Sequence, residues 1–135
     1  MTITQTTTTH HDTPHTLNRA WGEAFNAGDL ARLMTMYEDD AVLVPGPGAE
    51  PIAGTEAIAA ALRGFLGLGG QLDFTPRHWL VSGDLALSSV AFSMSGGTDP
   101  DGNPVPLAGV TSELLRRQAD GSWKYVIDHP FGGSA

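Results

Sequence analysis

The chain has 135 residues, and its 7 Lys+Arg against 15 Asp+Glu give a formal net charge of -8. That length fits one domain, and a hydrophobic share of 41% is enough for a packed core, which excludes wholesale disorder. The acidic balance argues against a nucleic-acid partner, no apolar run approaches the roughly 20 residues of a membrane-spanning helix, and zero cysteines exclude disulfides, thiolate metal sites and cysteine nucleophiles.

Residues 1–13 read MTITQTTTTHHDT, a Thr-rich stretch with almost nothing to bury, which predicts a disordered tail ahead of a single domain over 14–135. A secretory signal would need a basic start and an apolar middle, and both are missing; with the cysteine count this suits a cytoplasmic protein. His10, His11 and His15 lack a carboxylate or cysteine framework and read as solvated side chains rather than metal ligands.

From Pro14 the pattern becomes helical. Leu17, Ala20, Trp21, Ala24 and Phe25 form one apolar stripe, Gly28 suits the helix end, and Asp29 caps a second helix whose stripe is Leu30, Leu33, Met34 and Tyr37. Ala41 to Val44 is a short buried run closed by the loop Pro45-Gly46-Pro47-Gly48. Thr55 is the expected cap of a third helix with Ile58, Ala61, Leu62 and Phe65 on its inner side.

After Gly70 the period becomes strand-like. Four segments are expected, roughly 71–81, 85–98, 105–118 and 122–131, joined by Ser82-Gly83-Asp84, a turn over 99–103 and Ala119-Asp120-Gly121. Such short links favour antiparallel neighbours. Three helices followed by a meander predict an α+β domain, with the helices covering one face of a curved, mostly antiparallel sheet.

Three pieces carry a family resemblance: Trp21-x-x-Ala24-Phe25-Asn26-Ala27-Gly28-Asp29-Leu30, then Tyr37-x-x-Asp40-Ala41-Val42, and Arg116-Arg117-x-x-Asp120-Gly121-x-Trp123-Lys124 followed by Asp128-His129. Their order and spacing, over about residues 14 to 132, resemble the nuclear transport factor 2-like superfamily, nearest to its SnoaL-like and ketosteroid-isomerase-like proteins. The resemblance implies a cone-shaped fold with an apolar pocket between helices and sheet, frequently in a homodimer. It leaves the chemistry open, because relatives include isomerases, polyketide cyclases, hydratases, epoxide hydrolases and noncatalytic association domains. Many relatives carry a histidine two residues before the one matching His129; here that place is Ile127.

Within such a pocket the proton-handling candidates are His129, Asp128 and His78. Strand alternation around Lys124 puts Trp123, Tyr125, Ile127 and His129 inward and Asp128 outward, unless a bulge reverses the order. His78 shares a face with Leu72, Phe74 and Leu80. Tyr37 could donate to a developing oxyanion, and Trp21, Phe65, Phe74 and Tyr125 would pack against a small apolar or aromatic ligand. Glu113, flanked on its face by Thr111 and Leu115, reads as an exposed or paired carboxylate.

No His-Glu-x-x-His, phosphate loop or Gly-x-Ser-x-Gly is present, and the Asp-rich turn over 99–103 lacks a calcium loop's length and terminal Glu. The expectation is therefore no metal and no cofactor. The leading functional reading is a cofactor-independent enzyme that moves protons on an apolar ring or polyketide-like substrate, of cyclase, isomerase or dehydratase type. The alternative is a noncatalytic ligand-binding, sequestering or accessory dimer domain.

Overall fold

A computed structural model describes residues 13–133, so the expected tail, with His10 and His11, lies outside the described residues apart from Thr13. The elements run α1 (Pro14–Asn26), α2 (Leu30–Met34), β1 (Tyr37–Leu43), β2 (Ile52–Ala53), α3 (Thr55–Leu66), β3 (Gln71–Ser82), β4 (Leu85–Ser95), β5 (Leu107–Val110), β6 (Ser112–Arg117) and β7 (Trp123–His129). The strands make one seven-stranded sheet in the order β2-β1-β7-β6-β4-β3, with β5 also paired to β4. The β1–β7 pairing is parallel and the rest antiparallel, so the sheet is mixed.

The helix starts follow from capping chemistry. Thr13 and Thr16 form a reciprocal capping box with Pro14 in the first turn, and the Arg32 N–H donates to Asp29 Oδ1 at 3.0 Å at the start of α2. At α3 the expected cap shifts by one residue. Gly54, at φ 94, is the N-cap, and Thr55 is already helical with no side-chain cap bond.

Three other expectations need correcting. The second helix stops at Met34, and Tyr37, predicted on its stripe, instead opens β1. The segment 105–118 is two strands rather than one. Thr111 interrupts it, its N–H donating to the Val90 carbonyl at 2.8 Å and its hydroxyl accepting from the Val90 N–H at 2.9 Å. The third correction decides the site. The register between β6 and β7 slips between Leu114–Ile127 and Leu115–Tyr125, leaving Val126 as an extra residue. One extra residue inverts the alternation, so Ile127 turns outward and Asp128 turns in.

The core lies between helices and sheet, built on Leu17, Leu33, Met36, Leu43, Ile58, Leu62 and Leu115, all essentially inaccessible to solvent. No helix among the described residues is long and apolar enough to cross a membrane.

Candidate functional site

The concave side of the sheet does not close on itself. Between it, α1 and α3 lies a cavity of about 680 Å³ counting its open mouth. Seven aromatic rings line it: Trp21 and Phe25 from α1, Phe65 from α3, Phe74 from β3, Phe92 from β4, Tyr125 from β7, and Phe131 just beyond β7. Leu43, Leu62, Leu72, Val90, Met94 and Leu107 fill in between them. Among the described residues, two ionisable carboxyls, Glu113 and Asp128, stand against this greasy wall, with no lysine, arginine or histidine beside them.

Glu113 on β6 and Asp128 on β7 are direct cross-strand partners and therefore share a face. They are only 5% and 6% exposed. Burial pushes Glu113 up to about 8, Asp128's charge adding to the rise while the Ser88 and Thr111 hydroxyls oppose it. Burial raises Asp128 to about 6, held back by a hydrogen bond from Tyr37. Near neutral pH the pair accordingly shares about one proton.

Two chains of donors, both rooted on α1, converge on these carboxyls. Asn18 and Trp21 are three residues apart and so share one face of that helix. In the first chain, Tyr125 Oη donates to Asn18 Oδ1 at 2.6 Å, Asn18 Nδ2 donates to Ser88 Oγ at 3.1 Å, and Ser88 Oγ donates to Glu113 Oε1 at 2.5 Å. In the second, Trp21 Nε1 donates to Tyr37 Oη at 3.0 Å and Tyr37 Oη donates to Asp128 Oδ2 at 2.6 Å. Burial pushes both tyrosine hydroxyls well above their ordinary range, and the neighbouring carboxylates push them further, so both stay protonated donors.

The sequence candidates separate accordingly. Asp128, expected outside, faces the cavity because of the Val126 bulge. Trp21, Phe65, Phe74 and Tyr125 all line it, while Tyr37 is buried one layer back, behind Asp128. His129 is half-buried and not among the lining residues; its Nδ1 is buried without a partner, and its ring packs against Gly132. His78 is exposed. A second bulge, between Pro76 and His78, reverses β3, so that Trp79 turns toward α1 and stacks on His15 at 4.6 Å while His78 and Leu80 turn away. Glu113 corrects the expectation of an exposed or paired carboxylate: it is buried and its bonds are to hydroxyls. Its place between Thr111 and buried Leu115 was the signal that it faced inward. Ser88 and Asn18 carried no comparable signal, since their role arises only where α1 crosses β4. Among the described residues no group of three or more His, Cys, Asp or Glu stands together as a metal site. The Asp99 turn is a hairpin tip whose carboxylate accepts from the N–H groups of Asp101 and Asn103.

A family model described as a SnoaL-like domain matches residues 18–126. Among solved structures, a ketosteroid isomerase-like protein from Erwinia carotovora atroseptica is 28% identical, with a TM-score of 0.74 and coverage of 85% of this chain and 89% of that one. A protein from Thiobacillus denitrificans described as a putative calcium/calmodulin-dependent protein kinase type II association domain is 26% identical, with a TM-score of 0.73 over 89% of this chain and 94% of that one. An NTF-2 like protein of unknown function from Shewanella oneidensis shares the fold at 23% identity, with a TM-score of 0.67 over 84% of this chain and 91% of that one. No curated protein matches the chain.

Proposed function

This chain belongs to the SnoaL-like domain family, and from that premise we propose that it is a cofactor-independent enzyme transferring protons on a small, mostly apolar substrate. One observation carries the reading: two carboxyls with raised affinity for protons sit side by side on the wall of an aromatic cavity. The hydrogen bond from Tyr37 favours the ionised form of Asp128, which acts as base. Glu113 is the protonated partner and acts as acid, so one site can remove a proton at one atom while supplying one at another. Tyr37 and Ser88 hold the carboxyl oxygens in place, and the aromatic wall excludes water and orients the substrate body. Isomerisation, dehydration and ring closure of an enolisable compound can each use such a pairing. The ketosteroid isomerase-like neighbour supports that class of reaction.

The test is a turnover screen with enolisable and ring-forming ketones on wild type, Asp128→Asn and His129→Ala. Loss of a positioned general base should reduce kcat about 10²–10⁴-fold in Asp128→Asn. His129→Ala should stay near wild type, and the opposite ranking would return the role to the imidazole. A second reading, retention of a ligand without chemistry, is favoured by one observation: hydroxyl donors already engage both carboxyls. It expects mass spectrometry of extracted material to return a stoichiometric, unchanged ligand. In either case we propose a homodimer formed through the outer face of the sheet, where an apolar row is exposed.

A further inference from the structure

The cavity carries acid without base. Buried carboxylates are ordinarily matched by a cation or a metal, or else kept neutral by a proton. Among the described residues neither carboxyl faces a basic side chain. Arg116, on the same strand as Glu113, pairs across with Lys124 on the opposite face and donates to Glu38 at 2.9 Å. Two carboxyls alone fall short of the donor set of a bound divalent ion, and no third His, Asp, Glu or Cys joins them among the described residues. The positive position is therefore open to whatever enters the cavity. The aromatic lining points the same way, since ring faces attract a cation and offer nothing to an anion.

We propose that the ligand of this cavity is an apolar organic ammonium, a ring or branched hydrocarbon body bearing a protonated amine that sits between the Glu113 and Asp128 carboxyls. The inference rests on this cavity being the functional site, and it narrows the substrate class named above. Ser88 and Tyr37 each donate to one oxygen of a carboxyl, and an ammonium brings three further donors to the pair. A carboxylate or phosphate ligand would add a second negative charge beside the one the buried pair already carries, with no lysine or arginine among the described lining residues to receive it. A neutral alcohol can hydrogen-bond but supplies no charge. Binding is proton-linked: the ammonium takes over neutralisation of the pair, and the carboxyl proton leaves to solvent. The other titratable groups around the pair are Tyr37 and Tyr125, both held protonated. What α1, α3, β3 and β4 present is uncharged: Asn18 and Trp21, Leu62 and Phe65, Phe74, and Ser88.

Calorimetry with phenethylamine, 2-phenylethanol and 3-phenylpropanoate, which share a phenyl body and differ in charge, tests this. The expected result is a Kd for the amine at least tenfold below that of the alcohol, with no measurable binding of the carboxylate. Amine titrations in buffers of different ionisation enthalpy should show net proton release near pH 7. The amine preference should grow from pH 5 to pH 8 in wild type, and should collapse to within about twofold in Glu113→Gln/Asp128→Asn. The wild-type pH series decides the matter if the double variant does not fold. An amine no tighter than the alcohol, a pH-independent preference, equal binding of the carboxylate, or no binding of any probe overturns the inference. Turnover of a ketone lost in Asp128→Asn, with no amine preference, leaves the proton-transfer reading standing and removes only the ammonium.

Discussion

Glu113 and Asp128 face each other across β6 and β7, two carboxyls in register on one face with no cationic side chain beside them among the described residues. Their arrangement makes stability depend on pH in a direction opposite to that of a salt-bridged protein. The folded chain holds protons on these groups that the unfolded chain releases near its ordinary carboxyl range. From the ordinary Glu value of 4.5 up to about 8, the folded state therefore binds more protons than the unfolded one, and stability falls as pH rises. The expected slope approaches about 1.4 kcal/mol per pH unit for each proton involved. Urea unfolding of wild type and Glu113→Gln between pH 5 and pH 9 checks it, and the variant should show the flatter profile. A wild type that grows more stable toward pH 8 would contradict the burial of the pair.

Tyr37 stands between α1 and the dyad, accepting from Trp21 and donating to Asp128. Its hydrogen bond favours ionised Asp128, so Tyr37→Phe should raise the Asp128 pKa further above about 6. It also orphans the Trp21 indole N–H. The expected cost is about 1–3 kcal/mol of stability, the usual penalty for leaving buried polar groups unpaired. In a turnover assay the acid limb of the pH profile should move upward in Tyr37→Phe, whereas Tyr125→Phe, whose hydroxyl reaches Glu113 only through Asn18 and Ser88, should leave that limb nearer its wild-type position.

Most of the scaffold was legible in the chain itself. The stripes of Leu17–Phe25 and Ile58–Phe65, the Asp29 cap and the turn at Ser82-Gly83-Asp84 are local signals, and local hydrogen bonding and burial enforce them. The site was half legible. Trp21 and Phe65 lie on helical stripes, and Phe74 and Tyr125 precede the bulges in their strands, so the plain period places all four. Asp128, His78 and His129 lie beyond bulges, where a single unpaired residue changes every later side chain from one face to the other. Neither Val126 nor Arg77 has a side chain that marks it as the extra residue. The bulges arise from how β6 fits β7 and β4 fits β3, which no stretch of either strand encodes alone.

Gly22 sits in the middle of α1, where glycine is intrinsically unfavourable, and the reason is on the opposite strand. A Cβ at this position would fall onto the Phe74 ring, which lines the cavity. Gly22→Ala should accordingly cost about 1–3 kcal/mol through overpacking, despite the better helix propensity of alanine. Gly22→Ala/Phe74→Leu should recover much of that loss in denaturant unfolding. Additive losses in the double variant would show that the two residues are not in contact.

The outer face of the sheet carries a cross-strand row that follows from the same bulges: Leu80 on β3 opposite Leu87 on β4, Leu87 opposite Leu114 on β6, and Leu114 opposite Ile127 on β7. Leu80, Leu87 and Ile127 are 61%, 42% and 40% exposed, a contiguous apolar stripe on a chain whose formal net charge is -8. A two-fold axis through the row would lay each stripe over its copy, as an isologous dimer requires. Light scattering should therefore give a dimer at micromolar concentration for wild type and a monomer for Leu87→Asp. Added salt should tighten the wild-type dimer, because it screens repulsion between two acidic protomers while leaving apolar burial intact. The Leu87 side chain points away from the cavity, so Leu87→Asp should keep the wild-type preference among charged and neutral cavity probes. A monomeric wild type would leave the stripe without this partner, and a dimer that persists in Leu87→Asp would place the interface elsewhere.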